Sequence, residues 1–375
     1  MPLYHDDDQA MLAETASQFM AEEGAIAKQL RHWRDRNCKD GFGHGLWKQF
    51  AEMGFTGMLV GEDDGGLGMG SYEAGIVLEE IGRNLTPSPF LASSVLAATA
   101  LKHADDAARQ RWLPGLVSGD LVYSVAIDEG AKHRPERIKT RAEKSGNGFR
   151  LTGQKDFVLH GASADMLVVA ARTSGADDDA DGITLFAVPK DAANMSHDAV
   201  RLVDSSMASH TKFEGVELDG DAVIGEVDGG REVLNAMLTA GRIGAAAEGV
   251  GVARGAMDMT VDYLKQRKQF GVPLAKFQAL TFRAADMYVL LELARSMALY
   301  ATMNLADDVV DPMVASRAKL QISRSSRKLG QEAIQLHGGI GVTAEYPVGH
   351  YVSRLVAIEH TLGGVDEHLR VLIGG

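Results

Sequence analysis

Two short segments of the sequence carry residue types that suit an anionic, aromatic ligand. The first is Arg267-Lys268-Gln269-Phe270-Gly271, followed by Gln278, and the second is Gln335-Leu336-His337-Gly338-Gly339-Ile340-Gly341. A guanidinium binds phosphate oxygens, an aromatic ring offers a stacking surface, and glycines let a ligand approach bare backbone N–H groups. A bound dinucleotide needs all three, so the two segments together predict half of a flavin site.

Long helical patterns precede both segments. Apolar residues recur at helical spacing over about 231–266, 276–305 and 312–337, and these stretches are longer than the average globular helix. Helices of this length usually pack as a bundle, with the two segments at its helix ends.

The rest of the chain divides by pattern into two further parts. Helical spacing also governs residues 7–116, whereas short runs rich in β-branched residues follow Leu121, at 121–127, 148–159, 166–171, 183–188 and 212–218. This order predicts an α+β fold that is mostly α. We expect an N-terminal helical domain at 1–120, a middle antiparallel β-domain at 121–228 and a C-terminal four-helix bundle at 229–375.

Composition excludes several classes of protein. The 375 residues carry a formal net charge of −13, which argues against general binding to nucleic acid or anionic lipid. No apolar run reaches 18 residues, so no membrane span is predicted. The acidic segment 1–8 lacks the features of an export signal and predicts a cytoplasmic protein. The single cysteine, Cys38, cannot form an internal disulfide.

Two motifs resemble known ligand sites but lack necessary parts. The segment 177–182 matches the first half of an EF-hand calcium loop, yet Val188 stands where a bidentate Glu is required, so we expect a hairpin loop and no metal site. Gly249 and Gly251 form a GxG, but Arg254 replaces the third glycine of a dinucleotide fingerprint and no strand precedes it. Close helix packing explains these glycines better.

In sequence order, the motifs resemble those of the acyl-CoA dehydrogenase family over nearly the whole chain. Residues 65–68 and 79–83 resemble its N-terminal domain, residues 153–158 and 164–165 its middle domain, and the two flavin-site segments its C-terminal domain. In that family the last group binds the diphosphate and adenosine of an FAD held by a neighbouring subunit. The resemblance therefore assigns FAD binding to Arg267, Gln269, Phe270, Gln278, Gln335, Gly338 and Gly339.

The sequence departs from the family where the flavin ring would lie. Asp128-Glu129-Gly130 replaces the family's Thr-Glu-Pro turn, and Phe157-Val158-Leu159-His160 replaces its Trp-Ile-Thr-Asn segment. Leu159 has no hydroxyl to donate, and a carboxylate at Asp128 is unfavourable beside a reduced, anionic flavin. The ring is then held mainly through backbone contacts, or is not held by this subunit.

The resemblance leaves the catalytic base open. Desaturation needs a carboxylate to remove the α-proton of a thioester, and Glu359 is the closest match to the family's Tyr-Glu-Gly-Thr glutamate. The alternative for Glu359 is an ion-paired acid at a helix end. Some relatives place the base one residue before an arginine equivalent to Arg242, but that position is Gly241 here. Glu248 lies roughly 10 Å further along the same helix, too far to substitute directly.

The resemblance implies an FAD-dependent acyl-CoA dehydrogenase that forms an enoyl-CoA and passes electrons to an electron-transfer flavoprotein. A homo- or hetero-tetramer is implied, because the half-sites meet across an interface. The departures resemble the smaller subunits of heteromeric members that act on dicarboxylyl or steroid side-chain CoA thioesters. Two alternatives stay open: a non-catalytic partner subunit that contributes the FAD adenosine half-site, and a flavin oxidase or monooxygenase on the same scaffold.

Overall fold

The structure is a computed structural model that describes residues 5–374. Residues 1–4, which belong to the acidic segment used above to argue against an export signal, lie outside the described residues. The chain forms two compact units. The first comprises Met1–Arg31, Gly75–Thr86 and Arg242–Gly375, and the second comprises His32–Ala74 and Pro87–Gly241.

The helices and strands follow the order helix, sheet, helix along the chain. The α-helices are α1 (Asp7–Glu22), α2 (Leu30–Asp35), α3 (His44–Glu52), α4 (Ser71–Asn84), α5 (Ala98–Leu101), α6 (Asp106–Val117), α7 (Gly230–Gln266), α8 (Gln278–Ala306), α9 (Pro312–His337), α10 (Val348–His360) and α11 (Val365–Ile373). The strands are β1 (Tyr123–Ala126), β2 (Arg141–Ser145), β3 (Gly148–Leu159), β4 (Met166–Arg172), β5 (Ile183–Pro189), β6 (Met195–Arg201), β7 (Met207–Leu218), β8 (Val223–Ile224), β9 (Lys268–Gln269) and β10 (Val272–Pro273). A π-helical segment at Leu91–Ala97 leads into α5.

The predicted C-terminal helical bundle is confirmed in the first unit. One apolar core takes side chains from α7, α8, α9 and α10, among them Ala253, Met287, Ile322 and Leu355. Local signals set the helix ends, as in α9, where the Asp311 carboxylate accepts from the Met313 N–H at 2.8 Å. A proline at the first position of α9 also favours the start of the helix, and the glycine that directly follows its last residue favours its end.

Two glycines allow α4 and α7 to touch backbone to backbone. A Cβ on Gly251 would lie 1.8 Å from the Glu79 carbonyl oxygen, and one on Gly82 would lie 2.2 Å from the Glu248 carbonyl oxygen. Neither position has room for a side chain, so the packing explanation for the Gly249-x-Gly251 motif is confirmed.

The second unit is built on a mixed sheet with the strand order β6-β7-β3-β2-β4-β5-β8, and β1 pairs with β4. Most neighbouring strands are antiparallel, as the sequence predicted for the middle domain. The pairs β1–β4 and β2–β4 are parallel, which the sequence pattern did not indicate. The pattern also missed β2 and β6. Strand β6 has no buried residue because it lies at the edge of the sheet, so its sequence shows little hydrophobic alternation.

Helical residues of the amino-terminal third pack against β1 within this second unit. The Tyr123 N–H donates to Ser93 Oγ at 3.2 Å, and its hydroxyl donates to the Trp112 carbonyl at 2.7 Å. Residues 87–120 therefore share a compact unit with the sheet, whereas α1 and most of α4 belong to the unit of the bundle.

Candidate functional site

A β-hairpin after α7 presents the first predicted segment. Strands β9 and β10 pair through Gln269 and Val272, and the tip residues Phe270 and Gly271 have φ values of +52° and +82°. Positive φ at both central residues is the geometry of a tight two-residue hairpin turn. The Phe270 side chain is 93% exposed, and Arg267 at the base of the hairpin is exposed and forms no ion pair with the described residues. The hairpin thus offers an aromatic ring and a cation to solvent.

The start of α8 lies next in the chain. Gln278 is its first residue, and the preceding Phe277 supplies no side-chain hydrogen bond to cap it. The start of this 29-residue helix therefore has no side-chain acceptor, although the Leu280 N–H donates to the Phe277 carbonyl at 3.0 Å. A helix start without a side-chain cap is the arrangement that binds phosphate at helix N-termini. The Phe277 ring lies edge-on to the Phe270 ring at a centroid distance of 6.2 Å.

The end of α9 presents the second predicted segment. Gln335 is exposed in its last turn, and Gly338 follows the helix with φ +66°. A Cβ placed on Gly338 or on Gly339 would meet no atom within 4 Å. Both glycines are exposed, so their backbone is open to a ligand rather than packed against the protein.

Side-chain contacts bring these helix ends to one end of the bundle. The rings of Tyr263, near the end of α7, and His337, at the end of α9, stack at 4.6 Å with an interplanar angle of 29°. Arg283 Nε in α8 donates to Glu332 Oε2 in α9 at 2.6 Å. All seven residues predicted to bind the nucleotide are exposed in this region of the chain. Their role in FAD binding stays a prediction, since the structure contains no ligand.

Glu359, the candidate base, lies in the last turn of α10 and is only 4% exposed. Its carboxylate accepts from Arg327 Nε at 3.2 Å and from Arg327 Nη2. Arg327 is itself largely exposed. Both carboxylate oxygens of Glu359 are engaged by Arg327, so one of them must be released before it can accept a proton from a substrate.

Glu248, the second carboxylate considered, is also held. Its Oε1 accepts from Arg354 Nε at 2.8 Å and from Arg354 Nη2 at 2.6 Å, and the Glu248 side chain is buried. This contact is structural in character, because breaking a buried pair leaves a desolvated charge without its partner.

Buried donors from three helices fix the turn between α10 and α11. Lys319 Nζ on α9 donates to the carbonyls of Ile358 and Glu359, the second at 3.4 Å. Arg242 Nε on α7 donates to the Leu362 carbonyl at 3.2 Å, and His368 Nε2 on α11 donates to the Gly363 carbonyl at 3.0 Å. These bonds satisfy carbonyls that a helix end leaves without partners.

The same turn adopts backbone conformations that need such support. Leu362 has φ +57° and Gly363 has φ +107°, and a leucine rarely adopts the left-handed region. Burial lowers the pKa of Lys319 to about 7, the Arg242 guanidinium adds to the shift, and Glu359 and Glu248 oppose it. The turn itself carries no carboxylate, since residues 361–364 are Thr, Leu, Gly and Gly.

In the sheet unit, both acids of the Asp128-Glu129-Gly130 turn have partners. The Asp128 carboxylate accepts from His133 Nδ1 at 2.8 Å, and Glu129 accepts from the fully buried Lys155 ammonium at 2.7 Å. Burial raises the pKa of Glu129, but the Lys155 charge and the hydrogen bonds of Lys155 and Thr140 outweigh it and hold the pKa below its usual value. The Asp128 charge is thus already engaged by a neighbouring imidazole.

The Phe157–His160 segment has an irregular backbone. The pairing of β3 with β7 shifts register between Lys155 and Val158, and Phe157 has φ +53° with half of its side chain exposed. The Leu159 carbonyl accepts from Ser124 Oγ. A bulge of this kind turns side chains and backbone out of the ladder, so the segment presents Phe157 to solvent.

Guanidinium groups occupy the loop that resembles half of an EF-hand. Arg172 donates to the carbonyls of Asp177 at 2.9 Å and Asp179 at 3.1 Å, and Arg231 donates to those of Ala180 at 2.7 Å and Asp179 at 2.8 Å. Carbonyls that accept from cations are poor ligands for a metal ion. Within residues 5–374 no cluster of three or more His, Cys, Asp or Glu side chains has metal-binding geometry. No helix in that range has the length and apolarity needed to cross a membrane.

Comparison with known sequences establishes the family. Residues 6–120 match the family model "Acyl-CoA dehydrogenase, N-terminal domain", residues 128–216 match "Acyl-CoA dehydrogenase, middle domain", and residues 228–374 match "Acyl-CoA dehydrogenase, C-terminal domain". The order of N-terminal helices, middle sheet and C-terminal bundle agrees with these three matches. The chain belongs to the acyl-CoA dehydrogenase family, whose members are FAD-dependent.

Individual relatives agree with this assignment. The chain is 32% identical to acyl-CoA dehydrogenase FadE12 of Mycobacterium tuberculosis over 81% of this chain and 80% of the relative. It is 31% identical to the human mitochondrial short-chain specific acyl-CoA dehydrogenase over 88% of this chain and 81% of that protein. The crystal structure of the ChsE4-ChsE5 complex from Mycobacterium tuberculosis matches all of this chain and 98% of its own, with 26% identity and a TM-score of 0.88.

Sequence reasoning missed the residues that support the site. Lys319 lies at helical spacing from Ala315 and Ile322, both buried, so a lysine on an apolar helix face was the available signal. Tyr263 and Tyr346 had no comparable signal, because they are far apart in sequence and become neighbours only through the fold.

Proposed function

We propose that this protein is an FAD-dependent acyl-CoA dehydrogenase that desaturates the α,β bond of an acyl-CoA thioester and passes the electrons to an electron-transfer flavoprotein. The observation that carries the proposal is the end of the bundle. There the seven predicted nucleotide-binding residues are exposed, and Tyr263–His337 stacking joins the α7 and α9 helix ends that carry most of them. Family membership supports the oxidoreductase class.

The residues at the bundle end fit the nucleotide part of FAD. Arg267 and the uncapped start of α8 suit a diphosphate, and Phe270 offers a face for adenine or ribose. The open space around Gly338 and Gly339 leaves room for close approach to the backbone. We assign these residues, with Gln269, Gln278 and Gln335, to the nucleotide half-site.

The sheet unit fits the flavin ring less fully. His133 donates a hydrogen bond to the Asp128 carboxylate, so that carboxylate is directed to a neighbouring side chain. The bulge at Phe157 presents an exposed aromatic ring and irregular backbone, whereas Leu159 supplies no hydroxyl. Contacts to the ring would therefore come from Phe157 and from backbone groups.

Bound FAD would supply the acceptor for the hydride that leaves the β-carbon of the thioester. The remaining task for the protein is to accept the α-proton on a carboxylate oxygen. Glu359 is the assigned base, and its release from Arg327 is the change of contact that the reaction requires.

More than one subunit is expected in the active assembly. Four exposed apolar side chains of α8, at spacings of 7, 4 and 7 residues, lie on one face of that helix: Phe282 (64% exposed), Val289 (55%), Leu293 (53%) and Tyr300 (48%). Exposed apolar side chains repeated along one helix face in this way are typical of a protein interface, and we assign this face of α8 to a subunit contact.

A direct test is the colour of the purified protein and its response to substrate. We expect bound FAD and anaerobic bleaching of the flavin on addition of acyl-CoA thioesters of different chain lengths, followed by reduction of electron-transfer flavoprotein. Arg267→Ala should lose FAD, whereas Lys265→Ala, an exposed cation two residues away, should keep it. A colourless protein that binds no added FAD would refute the proposal, and fast reoxidation by air would identify an oxidase instead.

A second function is favoured by the two ion pairs of the bundle. Because Arg327 holds Glu359 and Arg354 holds Glu248, this chain could serve as a partner subunit that lends its nucleotide half-site to another chain's catalytic base. One structural neighbour is a complex of two differently named chains, which supports a heteromeric assembly.

Glu359→Gln separates the two functions. If Glu359 is the base, the variant should keep FAD and lose bleaching by about 100-fold or more. If the chain is a partner subunit, wild-type protein should bleach only after co-expression with a related dehydrogenase chain, and Glu359→Gln should then have no effect on the rate.

A further inference from the structure

Three aromatic rings form a compact cluster beneath the nucleotide half-site. Tyr263 from α7 stacks on His337 from α9 at 4.6 Å, and Tyr346, from the segment before α10, contacts both rings at 5.0 Å from His337 and 5.9 Å from Tyr263. Aromatic pairs at these distances attract beyond the burial of their area. We call these three residues the aromatic cluster.

Two elements of the half-site, the Arg267 hairpin and the Gly338-Gly339 turn, continue directly from rings of this cluster. The Arg267 N–H donates to the Tyr263 carbonyl at 2.8 Å, so the hairpin with Phe270 begins one helical turn beyond Tyr263. His337 is the residue immediately before Gly338. The stack of Tyr263 on His337 therefore links the helix end that carries the arginine hairpin to the helix end that carries the glycine turn.

His337 is held in a single state within the cluster. Its Nδ1 donates to the Ala333 carbonyl at 2.7 Å, which leaves Nε2 as the unprotonated nitrogen, and Nε2 is buried without a hydrogen-bond partner among the described residues. Burial lowers the pKa of His337, although the bond to Ala333 opposes this. A neutral ring with one fixed tautomer stacks on tyrosine without the cost of burying a charge.

The third ring is fixed from its own side. A Cβ on Gly341 would lie 3.0 Å from the His337 Cβ, so the chain after the glycine turn folds back tightly over His337. Arg31 then holds the segment of Tyr346, because Arg31 Nη2 donates to the Glu345 carbonyl at 2.6 Å. The aromatic cluster is thus braced at each of its three chain segments.

We propose that the aromatic cluster is the positioning element of the nucleotide half-site. It sets the spacing between the Arg267 hairpin and the Gly338-Gly339 turn before the ligand arrives, so that both contact one FAD without reordering. Preorganisation raises affinity by removing the entropy cost of ordering the site on binding. This inference rests on the proposed function, and it assigns His337 a role through the backbone it holds rather than through contact with FAD.

The test is FAD affinity, measured by quenching of flavin fluorescence on titration into protein freed of bound FAD. His337→Ala should raise the Kd by about 10-fold or more, and His337→Phe, which keeps a flat stacking ring, should stay within about 3-fold of wild type. His103→Ala, an exposed histidine outside the cluster, is the matched control and should bind as wild type does. The double variant with His337→Ala and Arg267→Ala should lose less FAD-binding free energy than the two single variants lose together. The reason is that Arg267 is already misplaced when His337 is replaced by Ala.

Several results would overturn the inference. These are a wild-type Kd for His337→Ala, a Kd for His337→Phe as weak as that of His337→Ala, or strictly additive effects with Arg267→Ala. If His337→Ala does not fold, Tyr346→Ala at the half-buried edge of the cluster decides the question by the same titration. Wild-type protein that binds no FAD refutes the proposed function itself, which distinguishes that failure from failure of the positioning role.

Discussion

Replacing Lys319 by Met should change how the stability of the protein depends on pH. The native pKa of Lys319 is about 7, compared with an ordinary value of 10.5. Between these values the unfolded chain binds the proton and the native protein does not, so the free energy of unfolding rises with pH in this window. Below pH 7 both states are protonated, and the group contributes no further dependence on pH.

The size of the effect follows from the two pKa values. Each pKa unit corresponds to about 1.4 kcal/mol, and titration of this one group makes the native state roughly 3 kcal/mol more stable at pH 9.5 than at pH 6.5. For a chain of this length that is about 4 °C in Tm. Met has a similar length and no charge, so Lys319→Met removes this contribution while it also removes the bonds to the Ile358 and Glu359 carbonyls.

The assay is thermal unfolding followed by circular dichroism at several pH values from 6.5 to 9.5. We expect Lys319→Met to be less stable than wild type, and the Tm gap to be about 4 °C wider at pH 9.5 than at pH 6.5. Lys48→Met, at an exposed position of α3, is the matched control and should show a gap that does not vary with pH. A constant Tm gap for Lys319→Met would refute the reasoning, since it would mean that Lys319 keeps its proton throughout this range.

Three further predictions test packing, ion pairing and exposure. Phe270→Ser should leave Tm unchanged within about 1 °C because the ring is 93% exposed, yet weaken FAD binding in a fluorescence titration. Gly251→Ala should destabilise the protein by about 3 kcal/mol or more in urea unfolding, because its Cβ would overlap a carbonyl of α4, whereas Gly45→Ala, in open space on α3, should stabilise it by about 0.5–1 kcal/mol. Glu248→Gln should cost about 3 kcal/mol in the same assay because Arg354 loses its buried carboxylate, and a variant as stable as wild type would show that the pair contributes little.

The parts of the fold with strong periodic patterns were predictable from the sequence. The three long helices appear within a few residues of their predicted bounds, because helical periodicity over 26 or more residues is hard to mistake and Asp311, Pro312 and Gly338 mark the ends of α9. Strand β6 was missed because an exposed edge strand needs no apolar alternation. The parallel pairing of β1 with β4 is a tertiary relation, and local patterns do not encode it.

The residues of the candidate site also fall into those that the sequence revealed and those that it did not. Arg267, Phe270 and the glycines after α9 were found because their chemistry is concentrated in short segments. The ion-pair partners of Glu359 and Glu248 were not found from the sequence. Arg327 lies 32 residues before Glu359, and Arg354 lies 106 residues after Glu248. Burial and ion pairing at such distances depend on the packing of α7, α9 and α10, which a single sequence does not display.

The turn between α10 and α11 has a consequence for engineering within the family. Arg242 and His368 donate to the Leu362 and Gly363 carbonyls of the turn, and Lys319 donates to carbonyls in the last turn of α10 directly before it. These three donors lie on three different helices, so the shape of the turn depends on residues outside it as well as on its own glycine. A loop transplanted here from a relative would be placed against the donors of this protein and not those of its own protein. Its carbonyls would then have different hydrogen-bond partners, and its backbone would adopt a different conformation. Exchange of a carboxylate-bearing segment at this position will therefore succeed only when the three donor positions are exchanged with it.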